Sequence, residues 1–170
     1  MIFLGIGSNL NSKFGDRFKN INLSIKLLNL YKINVLKQSS FYETPSYPDE
    51  TNPKFINIVV MVSTKLSTKK FISTIISIEE KLERKRSLKN EPRTCDIDIL
   101  DYNGKITNFS YKNLIFTFPH EELNNRNFVL YPLKEVSPEW EHPKNKEKID
   151  NLIKNLSEHN RKSILKIINN

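Results

Sequence analysis

The sequence predicts an α+β fold of the ferredoxin-like kind, an antiparallel sheet built in the order β-α-β-β-α-β with helices on one face, followed by a C-terminal hairpin and further helices. Three observations lead to it. Four segments are apolar and extended in character, two segments between them repeat apolar residues at steps of three and four, and turn-forming residues fall where one pattern gives way to the other. A chain of 170 residues is long enough to bury one sizeable core, and no internal repeat or linker divides it, so residues 1–170 are expected to form a single domain.

The first strand is Ile2-Phe3-Leu4-Gly5-Ile6-Gly7, which runs into the turn Gly7-Ser8-Asn9. Phe14, Phe18, Ile21, Ile25 and Leu28 then mark a helix over roughly residues 13–31. Residues 33–42 return to extended character, and residues 44–53, with three prolines and no period, read as a loop. The β-branched run 55–62 is the third strand. Ser67 is a suitable N-cap for a second helix whose apolar face is Phe71, Ile72, Ile75, Ile76, Ile78 and Leu82. Residues 83–92 are charged and form a solvated loop, and residues 94–102 are the fourth strand, stopped by Asn103-Gly104. From about residue 105 a short hairpin is expected, then helices over 128–136 and near 146–156, closing on the same core.

Successive strand residues point to opposite sides of a sheet. Cys95, Ile97 and Ile99 share one side with Ile56, Ile58, Val60 and Val62 and with Ile2, Leu4 and Ile6; this aliphatic side belongs under the helices. The other side carries Asp96, Asp98, Asn57 and Phe55, with Gly5 and Gly7 leaving room above the sheet. That helix-free face is the candidate active site.

The net charge of +8 comes from lysines spread along the whole chain rather than from one basic stripe, so no nucleic-acid partner is expected. No apolar run approaches the roughly 20 residues that span a bilayer, so no membrane partner is expected either. Cys95 is the only cysteine, which excludes an internal disulfide and suits a reducing, cytoplasmic compartment. A monomer acting on small molecules is the expectation.

Asp96 and Asp98, two residues apart on a strand, project side by side and repel unless a cation or proton lies between them. Their hard oxygens suit Mg²⁺, which is usually held by one or two carboxylates together with substrate phosphates and water. The preceding loop carries Arg84, Lys85, Arg86, Lys89 and Arg93, so groups able to hold phosphate come just before groups able to hold its metal. Arg93, one residue before the strand, is the best placed of them to grip a pair of phosphate oxygens. His120, in Phe118-Pro119-His120-Glu121, is a further candidate phosphate donor. Glu79, taken alone, reads as a surface carboxylate on the second helix, and Trp140 and Phe128 as core aromatics. Gly5-X-Gly7-Ser8-Asn9 lacks the lysine of a P-loop. Two other classes share parts of this pattern: RNA-binding modules use the same element order with aromatics on the central strands, and other two-metal nucleases or transferases use Asp-X-Asp.

Gly7-Ser8-Asn9-Leu10, Ser40-Phe41-Tyr42-Glu43-Thr44-Pro45, Phe55-Ile56-Asn57, residues 92–100 (Pro-Arg-Thr-Cys-Asp-Ile-Asp-Ile-Leu), Pro119-His120 and residues 125–130 (Asn-Arg-Asn-Phe-Val-Leu) occur in that order. With these six motifs, residues 2–143 resemble the 6-hydroxymethyl-7,8-dihydropterin pyrophosphokinases of folate biosynthesis. The resemblance implies transfer of pyrophosphate from ATP to the pterin hydroxymethyl group, giving AMP and the pterin diphosphate. It implies two Mg²⁺ held by Asp96 and Asp98, with Arg84 and Arg93 catalytic beside them. It assigns the pterin to Asn57, Phe55 and Phe128, with Thr44, Pro45 and Tyr47 on the loop side, and ATP and its phosphates to Glu79, Arg84, Arg93, His120 and Arg126. Two positions depart from the family pattern: Lys89-Asn90-Glu91 precedes Pro92-Arg93 where Arg-Trp-Gly is common, and Asp101 ends the fourth strand where an apolar residue is commoner.

Overall fold

β1 (Ile2–Ser8) runs between β5 (Asp96–Tyr102) and β4 (Phe55–Ser63) in a six-stranded sheet of order β5-β1-β4-β3-β8, in which every recorded pairing is antiparallel. β2 (Asn34–Gln38) and β3 (Phe41–Thr44) pair with successive parts of β4, and β8 (Leu165–Ile167) adds to the outer edge of β3. The computed structural model describes residues 1–84 and 91–168, so Lys85, Arg86, Lys89 and Asn90 of the charged loop lie outside the described residues.

α1 (Arg17–Leu30) and α2 (Thr68–Lys81) cover one face, as the βαββαβ pattern requires. Ile2, Leu4, Ile6, Ile58, Val60 and Ile97 from the strands meet Ile21 and Leu28 of α1 and Phe71, Ile75 and Ile78 of α2. Each such side chain contributes about 1.5–3 kcal/mol on burial. α1 starts four residues later than its apolar period suggests. Ser12 and Gly15 close a tight turn, and Asp16 caps the helix by accepting from Lys19 N at 2.8 Å, which leaves Phe14 outside. The single strand expected over 33–42 is two strands. Between them Ser39 Oγ accepts from Val59 N at 3.0 Å, and β2 shifts register against β4 between Val35 and Lys37.

The C-terminal helices do not close on the same core. α3 (Asn127–Val136) and α4 (Ile149–Asn155) build a second core on the opposite face, where Val129, Leu130, Leu133, Val136, Ile149 and Leu152 pack on Phe3, Val59, Met61 and Leu100. The face expected to be free of helices is therefore covered over Phe3, Val59, Met61 and Leu100. It stays open only at the end bearing Gly7, Asn57, Asp96 and Asp98. The expected hairpin is β6 (Thr107–Tyr111) with β7 (Leu114–Phe118), and a short helix α5 (Glu158–Lys162) precedes β8.

The register of β5 against β1 slips between Phe3 and Leu4, which opposes Asp101 to Phe3 and Ile99 to Leu4 and leaves Leu100 as the extra residue of a bulge. Leu100 lies over Gly5, where a Cβ would sit 3.4 Å from it. The slip turns Tyr102 into the first core, stacked on Phe118, and turns Asp101 toward the second. There Asp101 Oδ2 accepts from Trp140 Nε1 at 3.0 Å and Oδ1 from Gly104 N at 2.7 Å. A carboxylate at this position thus has a physical reason: it satisfies a buried indole N–H.

Asp101→Leu strands that indole donor, and we expect a loss of about 1–3 kcal/mol in denaturant unfolding. His142 packs edge-on against Trp140 with ring centroids 5.8 Å apart. Burial lowers its imidazole pKa against the opposing pull of Asn145, Asp101 and Glu147. The unfolded chain therefore takes up this proton first, and stability should decline as pH falls from about 6.5 toward the lowered folded value. Unfolding of His142→Gln across that range should lack this dependence; an unchanged slope would place its origin elsewhere.

Candidate active site

At the open end of the sheet four residues lie in one cross-strand row. Asp96 of β5 opposes Gly7 of β1, Gly7 opposes Asn57 of β4, and Asn57 opposes Tyr42 of β3. Gly5 opposes Asp98 in the next row on this face. Glycine is needed at residue 7 for a steric reason: a Cβ there would lie 2.9 Å from Asn57 Oδ1. The amide of Asn57 is fixed from its other end, with Nδ2 donating to Thr44 Oγ1 at 3.0 Å.

Among the described residues, three arginines converge on the two carboxylates. Arg84 Nη1 lies 2.5 Å from Asp96 Oδ1, Arg93 Nη1 lies 2.6 Å from Asp96 Oδ2, and Arg126 Nη1 lies 3.1 Å from Asp98 Oδ2. Arg84 is also bound by Glu79. Glu79 is only 1% exposed, so it is not a surface carboxylate: its Oε1 accepts from Ile97 N at 2.8 Å and ties α2 to β5 behind the site. Its spacing of four from Ile75 and three from Leu82 places it on the apolar helix face, a signal present in the sequence. Burial, then the adjacent Asp96, pushes the Asp98 carboxyl above its ordinary range, against the pull of His120, Arg126 and Arg84.

Asn9 organises the surroundings, a role that the sequence reading did not assign. Its Oδ1 accepts from Arg93 N at 2.7 Å, its own N–H donates to Arg93 O at 3.0 Å, and its Nδ2 donates to Pro53 O at 3.0 Å and Ser46 Oγ at 3.2 Å. One buried side chain thus joins the turn after β1, the loop after β3 and the segment leading into β5. The clue was a polar residue directly after an apolar strand, which is too common a feature to interpret alone.

The aromatic residues lie beside the same arginines, with Arg93 5.8 Å from the Phe55 ring and Arg126 5.6 Å from the Phe128 ring. His120 sits on a cleft of about 210 Å³ together with Arg84, Asp98, Phe116, Thr117 and Glu121. Its backbone N–H donates to Leu100 O at 2.9 Å, and its Nδ1 accepts from Glu122 N at 3.1 Å. The candidates are thus brought together, with one exception. Pro45 is half-buried beside Thr44, but Tyr47 is 83% exposed.

Asp96 Oδ1 is buried and, beyond the Arg84 ion pair, has no hydrogen bond of acceptable geometry among the described residues. An underused hard oxygen beside a second carboxylate fits a magnesium ion that draws its other ligands from phosphate and water. Among the described residues, no three His, Cys, Asp or Glu side chains are grouped to hold a metal alone, and no helix is long and apolar enough to cross a membrane.

A family model for 7,8-dihydro-6-hydroxymethylpterin-pyrophosphokinase matches residues 3–138. The 2-amino-4-hydroxy-6-hydroxymethyldihydropteridine pyrophosphokinase of Aquifex aeolicus is 32% identical over 142 residues, covering 84% of this chain and 83% of that protein. The folic acid synthesis protein fol1 of Schizosaccharomyces pombe is also 32% identical over 142 residues, but there 83% of this chain spans only 18% of the relative's length. The crystal structure of wild-type Plasmodium falciparum HPPK-DHPS matches with a TM-score of 0.70 at 16% identity, over 89% of this chain and 43% of that one, a likeness of fold.

Gly7→Ala should force the Asn57 amide aside and break its bond to Thr44 while leaving both cores packed. The expected result is a shifted Asn57 side-chain amide resonance and a loss of about 1 kcal/mol in stability; an unmoved resonance would show that the row tolerates a methyl group.

Proposed function

This chain belongs to the 7,8-dihydro-6-hydroxymethylpterin-pyrophosphokinase family, and on that premise we propose that it transfers pyrophosphate from ATP to the hydroxymethyl group of 6-hydroxymethyl-7,8-dihydropterin, releasing AMP and the pterin diphosphate. The observation that carries this reading is the row itself: an amide suited to a heterocycle and a carboxylate pair suited to metal-bound phosphate share one open face, one glycine apart.

Asn57 offers both a donor and an acceptor to the amide-like edge of the pterin, and Phe55 and Phe128 flank the ring. Thr44 and Pro45 close the loop side. The cleft beside His120 receives the nucleotide, whose triphosphate then reaches Arg84, Arg93 and Arg126. Asp96 and Asp98 would hold two magnesium ions, which when bound neutralise phosphate charge and lower the pKa of the attacking alcohol. The arginines exchange carboxylate oxygens for phosphate oxygens as the triphosphate arrives, so the site passes between two charge-balanced arrangements. The hydroxymethyl oxygen attacks the β-phosphorus and AMP departs. Positioning and preorganised charge supply most of the acceleration, as is general for phosphoryl transfer.

A different two-metal transferase would use the same carboxylates, and the nucleotide product discriminates between the two. With Mg²⁺, ATP and hydroxymethyl-dihydropterin, AMP is the expected product; ADP would overturn the assignment. Asp96→Ala and Asp98→Ala should each lower turnover by about 10²–10³ or more with the fold retained, and undiminished activity in either would remove the metal role. Asn57→Ala should raise the KM for the pterin by about tenfold and leave that for ATP nearly unchanged.

A further inference from the structure

Ser40 and Tyr42 belong to the motif that ends in Thr44-Pro45, yet neither is assigned a contact with substrate in the reading above. Both are bound by one side chain from another element, Glu135 in the last turn of α3. Glu135 Oε1 accepts from Ser40 N at 3.1 Å and from Ser40 Oγ at 2.8 Å, and Oε2 accepts from the Tyr42 hydroxyl at 2.9 Å. Lys166 of β8 approaches Oε2 to 3.4 Å. Tyr42 is 7% exposed and is the cross-strand neighbour of Asn57.

We propose that Glu135 is a positioning residue for the pterin half of the site: by tying the end of α3 to the start of β3, it sets the spacing between Phe128 and Asn57. The proposal rests on the pyrophosphokinase reading. Phe128 precedes Glu135 by seven residues on the same helix, so the two share a helix face and stand about 10 Å apart along it. On the other side, Thr44 lies two residues beyond Tyr42 on the same face of β3 and accepts from Asn57. One helix, with Pro132 in it, and one strand therefore lead from one carboxylate to the two walls between which the ring is proposed to be held. The packing of Leu130, Leu133 and Val136 keeps α3 on the sheet without Glu135. That apolar contact is non-directional and does not specify where along the strand the helix rests. The phosphate side is anchored independently, through Glu79 on Arg84 and Asn9 on Arg93.

The test compares Glu135→Ala, Glu135→Gln and Tyr42→Phe with the unsubstituted protein by thermal melting and by KM for each substrate and kcat. Glu135→Ala should raise the KM for hydroxymethyl-dihydropterin about tenfold, the effect of one lost charge-assisted contact, with the KM for ATP within twofold. Glu135→Gln keeps an acceptor for Ser40 and a polar partner for Tyr42, and should restore the pterin KM to within about twofold. Tyr42→Phe should fall between the two; if Glu135→Ala does not fold, a pterin-specific rise in Tyr42→Phe supports the proposal and its absence overturns it. A pterin KM unchanged in folded Glu135→Ala, or pterin and ATP KM rising together, also overturns it. Absence of pterin-dependent AMP release from the unsubstituted protein removes the pyrophosphokinase reading instead, and is seen before any variant is compared.

Discussion

Two carboxylates one strand step apart, at the margin of two apolar cores, repel each other and must be matched by cations. Arginine supplies them. Arg84 and Arg93 take the two oxygens of Asp96, and Arg126 takes one of Asp98. Much of the surrounding architecture serves that arrangement. Glu79 is buried behind β5 to hold Arg84, Asn9 fixes the backbone at Arg93, and α3 begins immediately after Arg126. The sequence holds only six arginines among its 27 cationic residues, and three of those among the described residues meet here, whereas lysines are scattered. A planar guanidinium fork suits carboxylate and phosphate alike, which a flexible ammonium does not match. The groups that balance Asp96 and Asp98 are therefore also of the kind that the proposed reaction needs to hold a polyphosphate.

Those arginines also lie beside the two rings, so charge and shape are linked at this end of the sheet. Arg93 is near Phe55 and Arg126 near Phe128. Movement of either guanidinium would alter the surroundings of an aromatic face in the half proposed to take the pterin. The coupling requires no long-range pathway, because cation, carboxylate and ring are direct neighbours.

The βαββαβ unit was legible in the sequence because its residues obey local periods. Strand alternation separated Ile97 and Ile99 from Asp96 and Asp98, and the steps of three and four in α2 gave its buried face. What escaped had no local signature. The bulge at Leu100 arises from pairing β5 with β1, and no alternation within 94–102 marks the slip that buries both Asp101 and Tyr102 on opposite sides. Phe3 and Val59 were visible as apolar residues on the second face, yet only the packed α3 shows that they form a core of their own. β8 is three residues long, too short for any period to register. Among the site residues, the carboxylates, arginines and Asn57 were identifiable from motif order. Asn9 and Glu135 were not, since their importance lies in what they join across the fold.

The row Asp96, Gly7, Asn57 runs along the hydrogen-bonding direction of the sheet, where neighbouring strands are about 4.8 Å apart. The separation between the carboxylate proposed to hold metal and the amide proposed to read the heterocycle is then two strand spacings, roughly 10 Å at the backbone. This length is a lattice constant of β-structure, and no side-chain substitution alters it. On the proposed reading the sheet acts as a ruler: an acceptor whose hydroxyl lies nearer to or farther from its recognition edge than the pterin's does would meet the phosphate out of line. Selection by molecular length is thereby built into the backbone, while side chains are left to discriminate by hydrogen bonding and ring size.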